Sequence, residues 1–215
     1  MSSTPPNPPI PPQPAGTPRF LLVAIVLAGL LVIAAGALLV FAYRDGPRGA
    51  AGTLLASAIG GPFELIDQNG KPFTDADLKG KWHLVFFGYT HCPDVCPTTL
   101  NEVSLALDRL GKKREQVGVV FITVDPERDT PESLKSYVAS FDAPVTALSG
   151  SPDQVAEAAR AYRVYFAKRK RADGNYDVDH GAVIYVMDPQ GRFTATFTPD
   201  TTAELMAQRL AKLLS

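Results

Sequence analysis

One uncharged run, "FLLVAIVLAGLLVIAAGALLVFAY" at residues 20–43, constrains this chain more than any other feature. Arg19 and Arg44 bracket it. As a helix rising about 1.5 Å per residue it would reach about 36 Å, enough to cross a hydrocarbon core of about 30 Å. A secretory h-region is shorter, about 7–15 residues, and "ASA" at 56–58 lies too far beyond the run to serve as its cleavage site. A soluble core helix is seldom apolar on every face over such a length. The run therefore predicts a single transmembrane helix. Charge bias assigns no side: Arg19 and the terminal amine stand against Arg44 and Arg48, which Asp45 offsets.

The span divides the rest. Residues 1–19, with "STPPNPPIPPQP", carry too little apolar bulk to offset their ordering entropy and read as a disordered, proline-rich tail. Residues 44–61 are Gly-rich and read as a linker, and residues 62–215 as the folded domain. With 21 Lys plus Arg against 22 Asp plus Glu, nothing in the charge asks for nucleic acid.

Within the domain, "FELID" and "QNGKPF" predict a hairpin around an Asn-Gly turn. "WHLVFFGY" (82–89) and "VGVVFITVD" (117–125) are near-continuous apolar runs, the mark of buried parallel strands. "AVIYVMD" and the alternating "RFTATFT" predict a second hairpin. Helical spacing of Leu100, Val103, Leu107 and Leu110 fills the first gap. Later helices open on Thr130-Pro131, on Ser151-Pro152 with Gln154, and on Thr201 with Glu204 in capping-box spacing. A parallel half, a short strand "PVTALS", then an antiparallel hairpin and a closing helix is the layout of a thioredoxin-like α/β sandwich with an N-terminal hairpin.

Both cysteines of the chain lie in "GYTHCPDVCPTTL", at the junction of the first long strand and its helix. Cys96 precedes Pro97, a good first-turn residue, so a helix N-terminus should favour its thiolate. A structural disulfide here would staple almost nothing. A thiol–disulfide couple is one reading; Cu(I) or Zn(II) on two thiolates is another, provided a third ligand exists. His83, in a strand, reads as an edge or structural residue, and His91, beside Cys92, as ordering the loop or supporting a ligand rather than binding metal itself. His180, in "DVDHGAV", stands where a thioredoxin-like fold faces its cysteines with a proline, and it predicts a site of two sulfurs and one nitrogen. Asp179 is a candidate to orient its ring. The basic run Lys168 to Arg171 reads as a solvated face or as a docking patch, and "DPERDTPE" as a turn and helix start.

Three motifs in order, "GYTHCPDVCPTTL", "VDPERDTPESLKSY" and "VDHGAVIYVMDPQGRF", resemble the Sco/SenC family, over roughly residues 62–215 and the anchor before them. The resemblance implies a thioredoxin-like fold and one copper per chain on Cys92, Cys96 and His180. It implies a metallochaperone for the dinuclear copper centre of cytochrome c oxidase, with the copper-bearing subunit as partner and a copper-donor chaperone upstream. The alternative is a thiol–disulfide reductase of that subunit's cysteines, with Cys92 as attacker. It also implies a bacterial inner-membrane protein, anchored by residues 20–43, with its domain in the periplasm.

Overall fold

The computed structural model describes residues 27–36 and 59–214. Two compact units, residues 1–51 and 52–215, divide the chain. In the first, residues 27–36 are helical, and the remainder of the expected span lies outside the described residues. No helix among the described residues is long and apolar enough to cross a membrane. The proline-rich tail, and the linker up to residue 58, also lie outside them.

The second unit is built on seven strands in the order β2-β1-β5-β4-β3-β8-β9. At its centre β3 (Trp82–Gly88) and β4 (Val117–Thr123) run parallel, and β4 pairs in parallel with β5 (Val145–Ser149). Antiparallel pairs complete both sides. β8 (Ile184–Met187) and β9 (Phe193–Phe197) extend the sheet beyond β3; β1 (Glu64–Asp67) and β2 (Pro72–Thr74) extend it beyond β5. The Asn-Gly turn between β1 and β2 forms as expected. Gly70 takes a φ of +75°, and Asp67 Oδ1 accepts from the amides of Asn69 and Lys71.

The apolar runs are continuous because the central strands are buried on both faces. Leu84 and Phe86 point to one face, packing with Phe121 against Leu100, Val103 and Leu107 of α1 (Val95–Arg109) and Met206 and Leu210 of α4 (Ala203–Leu213). Leu134 of α2 (Pro131–Val138) joins them. Val85 and Phe87 point to the other face, against Val155 and Ala158 of α3 (Pro152–Ala161) and Tyr162. Burying a phenylalanine of this kind contributes about 2–3 kcal/mol.

The caps of α2 and α3 are those expected: Thr130 Oγ1 accepts from the Ser133 amide, and Ser151 and Gln154 form a reciprocal box. The cap of α4 differs. It is Thr202, accepting from the Leu205 amide, while Thr201 Oγ1 takes the Thr198 amide and closes the turn after β9. Two equivalent hydroxyls stand side by side there, and the turn claims the first.

A second departure bears on function. β6 (Phe166–Lys170) and β7 (Tyr176–His180) form a separate two-stranded ribbon, outside the main sheet. "DVDH" is therefore strand, and His180 ends it rather than lying in a loop. The basic run on β6 is no bare patch. Lys168 pairs with Glu127 at 2.6 Å, Arg169 with Asp177 and Asp179 at 3.2 and 3.4 Å, and Arg171 with Asp173 at 3.4 Å. The ribbon largely neutralises its own charge.

Candidate metal centre

β3 ends at Gly88, and the chain crosses Tyr89–His91 to reach Cys92. The Cys92 amide donates to the Tyr89 carbonyl at 3.2 Å, which turns the chain toward α1. Cys96 is the second residue of α1, in the first turn that Pro97 suggested. Its amide is one of the helix's unsatisfied donors and points at Cys92 Sγ, 3.5 Å away. Cys96 itself is fully buried, and Gly88 is what makes room for it: a Cβ there would lie 2.8 Å from Cys96 Sγ and 2.7 Å from the Phe121 ring.

The third donor comes from the ribbon. His180 Nε2 lies 3.6 Å from Cys96 Sγ. On its other side Nδ1 lies 3.2 Å from the Gly181 carbonyl. In the tautomer that donates Nδ1–H to that carbonyl, the Nε2 lone pair is free and faces the sulfurs. Asp179 does not orient the ring; its carboxylate turns to Arg169. Tyr89 and Phe86 instead hold the imidazole by edge contacts, with ring centroids 5.7 and 6.5 Å away.

The two thiols are inequivalent. The Cys92 thiol is drawn down to about 3, chiefly by the hydrogen bond from the Cys96 thiol, then by His180 and the backbone amides of Cys96 and Asp94, against the opposing effect of burial. The same hydrogen bond and burial push Cys96 up. The pair therefore holds one thiolate, on the half-buried Cys92, backed by a protonated, inaccessible partner. Both cysteines are free.

Donor atoms of Cys92, Cys96 and His180 all lie within 4.8 Å of one another. A small d¹⁰ ion takes bonds of about 2.3 Å to sulfur and about 2.0 Å to imidazole nitrogen, which at a trigonal angle separates S and N by about 3.7 Å. The 3.6 Å observed needs no rearrangement of that edge. Thiolate and imidazole suit Cu(I), or Cu(II) with one added weak ligand.

Neither other histidine joins the cluster. His83 is buried near the start of β3, with Nδ1 3.2 Å from the Lys81 carbonyl, and burial lowers its pKa; the strand is central, not an edge. His91 Nδ1 meets Thr90 Oγ1 at 3.0 Å and orders the loop. "DPERD" is the turn expected, but what the sequence reading missed is the role of its two acids. Asp125 and Asp129 are both fully buried. Asp129 accepts from the Thr90 amide at 3.0 Å and from the hydroxyls of Thr90 and Thr123 at 2.6 Å each, fixing the approach to Cys92. Two acids four residues apart, directly after a buried strand, were the available signal.

The SCO1/SenC family model matches residues 51–215. The chain belongs to the SCO1/SenC family. Among solved relatives, Bradyrhizobium japonicum ScoI, determined with copper bound, is 53% identical, with a TM-score of 0.68 over 72% of this chain and 99% of that one. The Arabidopsis thaliana protein SCO1 homolog 1, mitochondrial, is 40% identical over 80% of this chain, a match spanning 50% of the plant protein's own length. BsSco, reported with a disulfide switch as a member of the Sco family of cytochrome c oxidase assembly proteins, is 25% identical, with a TM-score of 0.58 over 74% of this chain and 94% of that one. The two solved structures share this chain's overall fold, and in this chain the cysteine loop follows the end of β3 and meets the end of the histidine ribbon.

Proposed function

We propose that this chain binds one copper ion through Cys92, Cys96 and His180 and passes it to the dinuclear copper centre of cytochrome c oxidase. One observation carries the reading: two thiols and an imidazole, contributed by two separate elements, converge within 4.8 Å. The copper-bound family structures and the family's connection to oxidase assembly support it. The arrangement suits a carrier rather than a resident cofactor. Cys96 is sealed in the core, whereas Cys92 and His180 are part-exposed, so an incoming thiolate can displace the outer two donors while Cys96 still holds the ion. The partner in this reading is the copper-bearing oxidase subunit, supplied through an upstream copper-donor chaperone. Residues 20–43 serve as the anchor in a bacterial inner membrane, with the domain on the periplasmic side.

The test is copper titration of the reduced full-length chain beside His180→Ala. Wild type should take up one copper per chain and show thiolate-to-Cu(II) absorption. His180→Ala should lose or shift those bands while the fold persists. If the variant binds both oxidation states like wild type, the three-donor site is wrong.

The thiol asymmetry favours a second reading. A Cys92 thiolate at the surface, with a buried thiol behind it, can attack a disulfide of the oxidase subunit. Cys92 Sγ would form a mixed disulfide and expel one partner thiolate. Cys96, giving up its proton, would then displace the second, leaving a Cys92–Cys96 disulfide and a reduced dithiol. Turnover of an oxidised subunit peptide that survives His180→Ala would favour this reading over copper delivery.

A further inference from the structure

The ribbon β6–β7 carries the only imidazole of the cluster, yet pairs with no strand of the main sheet. Something else must hold it at the cysteines. Val178 is buried from the ribbon into the core, with Phe166 and Tyr176 packed beside it, and the Val178 backbone hydrogen-bonds to Tyr89. A further set of polar anchors comes from the turn between β4 and α2. Tyr176 donates its hydroxyl to Asp125 Oδ1 at 2.8 Å. The Arg128 guanidinium lies over the Tyr176 ring, with Cζ 3.8 Å from its centroid, and donates through Nη1 to the Tyr176 carbonyl at 3.1 Å and to Asn175 Oδ1 at 3.4 Å. Its Nε donates to Asp125, and the guanidinium carbon also lies 5.8 Å from the centroid of Tyr89, the ring that edges His180. At the rim, Lys168 reaches Glu127 and also lies over the Tyr176 ring, 4.8 Å from its centroid.

One residue beyond Arg128, Asp129 holds Thr90 and so the cysteine loop. A single five-residue turn therefore grips both halves of the site. Asp129 takes the thiol half, and Asp125 with Arg128 takes the imidazole half. We propose that Arg128 is a positioning residue: by clasping Tyr176 it sets the distance of the His180 ribbon from the two cysteines, and with it the share of binding that the imidazole supplies. The inference rests on the copper reading of the site. Arg128 supplies none of the three donor atoms, and acts through the ribbon and the Tyr89 ring.

The grip uses the guanidinium's Nε and Nη1 together with its position over the Tyr176 ring, while Nη2 is buried without a hydrogen-bond partner among the described residues; a lysine cannot reproduce this fixed arrangement. Arg128→Lys keeps a cation beside the buried Asp125 while losing the stack and the bond to the ribbon backbone. Ligand-orienting partners usually change metal affinity by about 10–100-fold. Arg128→Lys is therefore expected to weaken Cu(II) about tenfold relative to Cu(I) in the full-length chain, and to shift the Cu(II)–thiolate bands toward those of His180→Ala. In the copper-free chain, amide exchange at Tyr176–His180 should quicken while α1 stays protected. The deciding measurement is the double variant. If Arg128 works through the imidazole, Arg128→Lys changes nothing further in the Cu(II)/Cu(I) preference once His180→Ala is present. An equal change in both backgrounds, or none in either, overturns the proposal. If Arg128→Lys fails to fold, Tyr176→Leu removes the same clasp from the ribbon side and is read identically. The copper reading fails separately: His180→Ala alone would then leave the preference untouched.

Discussion

Replacing Asp129 by alanine is the sharpest structural perturbation available near the site. Its carboxylate is fully buried and accepts three hydrogen bonds, at 3.0, 2.6 and 2.6 Å, from the Thr90 amide and the hydroxyls of Thr90 and Thr123. A hydrogen bond to such a group is worth about 1.5–3 kcal/mol, and donors left buried and unpaired add their own desolvation. Three bonds sharing one acceptor group are not additive, so a total loss of about 3–5 kcal/mol is expected. That is a large part of the about 5–15 kcal/mol that holds an ordinary domain folded. With a slope of about 2 kcal/mol per molar urea, the unfolding midpoint should fall by about 2 M. Equilibrium urea unfolding of Asp129→Ala, beside the exposed Asp153→Ala, measures it. Asp129→Asn, which keeps one acceptor in place, should lose less. Under native conditions, exchange of the Thr90 amide should accelerate more than that of β3, because its acceptor is gone. A midpoint shift no larger than that of Asp153→Ala, with Thr90 still protected, would refute the claim that this carboxylate pins the cysteine loop.

Three further outcomes follow from the same geometry. Gly88→Ala places a methyl 2.8 Å from Cys96 Sγ and 2.7 Å from the Phe121 ring, so overpacking should cost about 1–3 kcal/mol in urea unfolding and disturb the buried thiol. Tyr137→Phe removes a buried hydroxyl that has no hydrogen-bond partner among the described residues, and should stabilise the domain, by up to about 1 kcal/mol, where an ordinary Tyr→Phe change would weaken it. Cys92 should be alkylated once per chain at a rate nearly flat between about pH 5 and pH 8, with Cys96 protected; an inflection at the ordinary thiol value would contradict the shared-proton pair. The sign of the linked stability is set by the same shift. Between about 3 and 9 the unfolded chain keeps a proton that folded Cys92 has shed, so this group's contribution is full above the upper value and is lost as the pH falls through about 3.

Much of the domain was legible because its local signals agree with its packing. The apolar runs at 82–89 and 117–125 are strands buried on both faces, and the Pro-capped helices start where their caps predict. Cys92, Cys96 and His180 were legible as a set only through topology. The proline missing from the segment before β8 mattered because the fold brings that segment to the cysteines. What escaped the sequence is cross-chain hydrogen bonding. "DPERD" is locally a turn, and nothing in its own pattern says that Asp129 reaches back to Thr90 or that Arg128 stacks on Tyr176, a residue 48 positions away. The basic run is the exposed hairpin face that one of its two readings expected, but its ion pairs were hidden for the same reason. Its acidic partners, Glu127, Asp177 and Asp179, meet it only across the ribbon and the neighbouring turn. The α4 cap slipped by one residue because Thr201 and Thr202 are chemically equal, and only the turn after β9 distinguishes them.

The central claim is that copper sits between the sulfurs of Cys92 in the loop and Cys96 in the first turn of α1, and one nitrogen of the ribbon. Copper X-ray absorption on the Cu(I)-loaded, full-length chain tests it most directly. The account predicts two sulfur scatterers at about 2.3 Å and one imidazole nitrogen at about 2.0 Å, with the nitrogen shell disappearing in His180→Ala. A sulfur-only shell in the wild type, or an imidazole shell that survives His180→Ala, would contradict it.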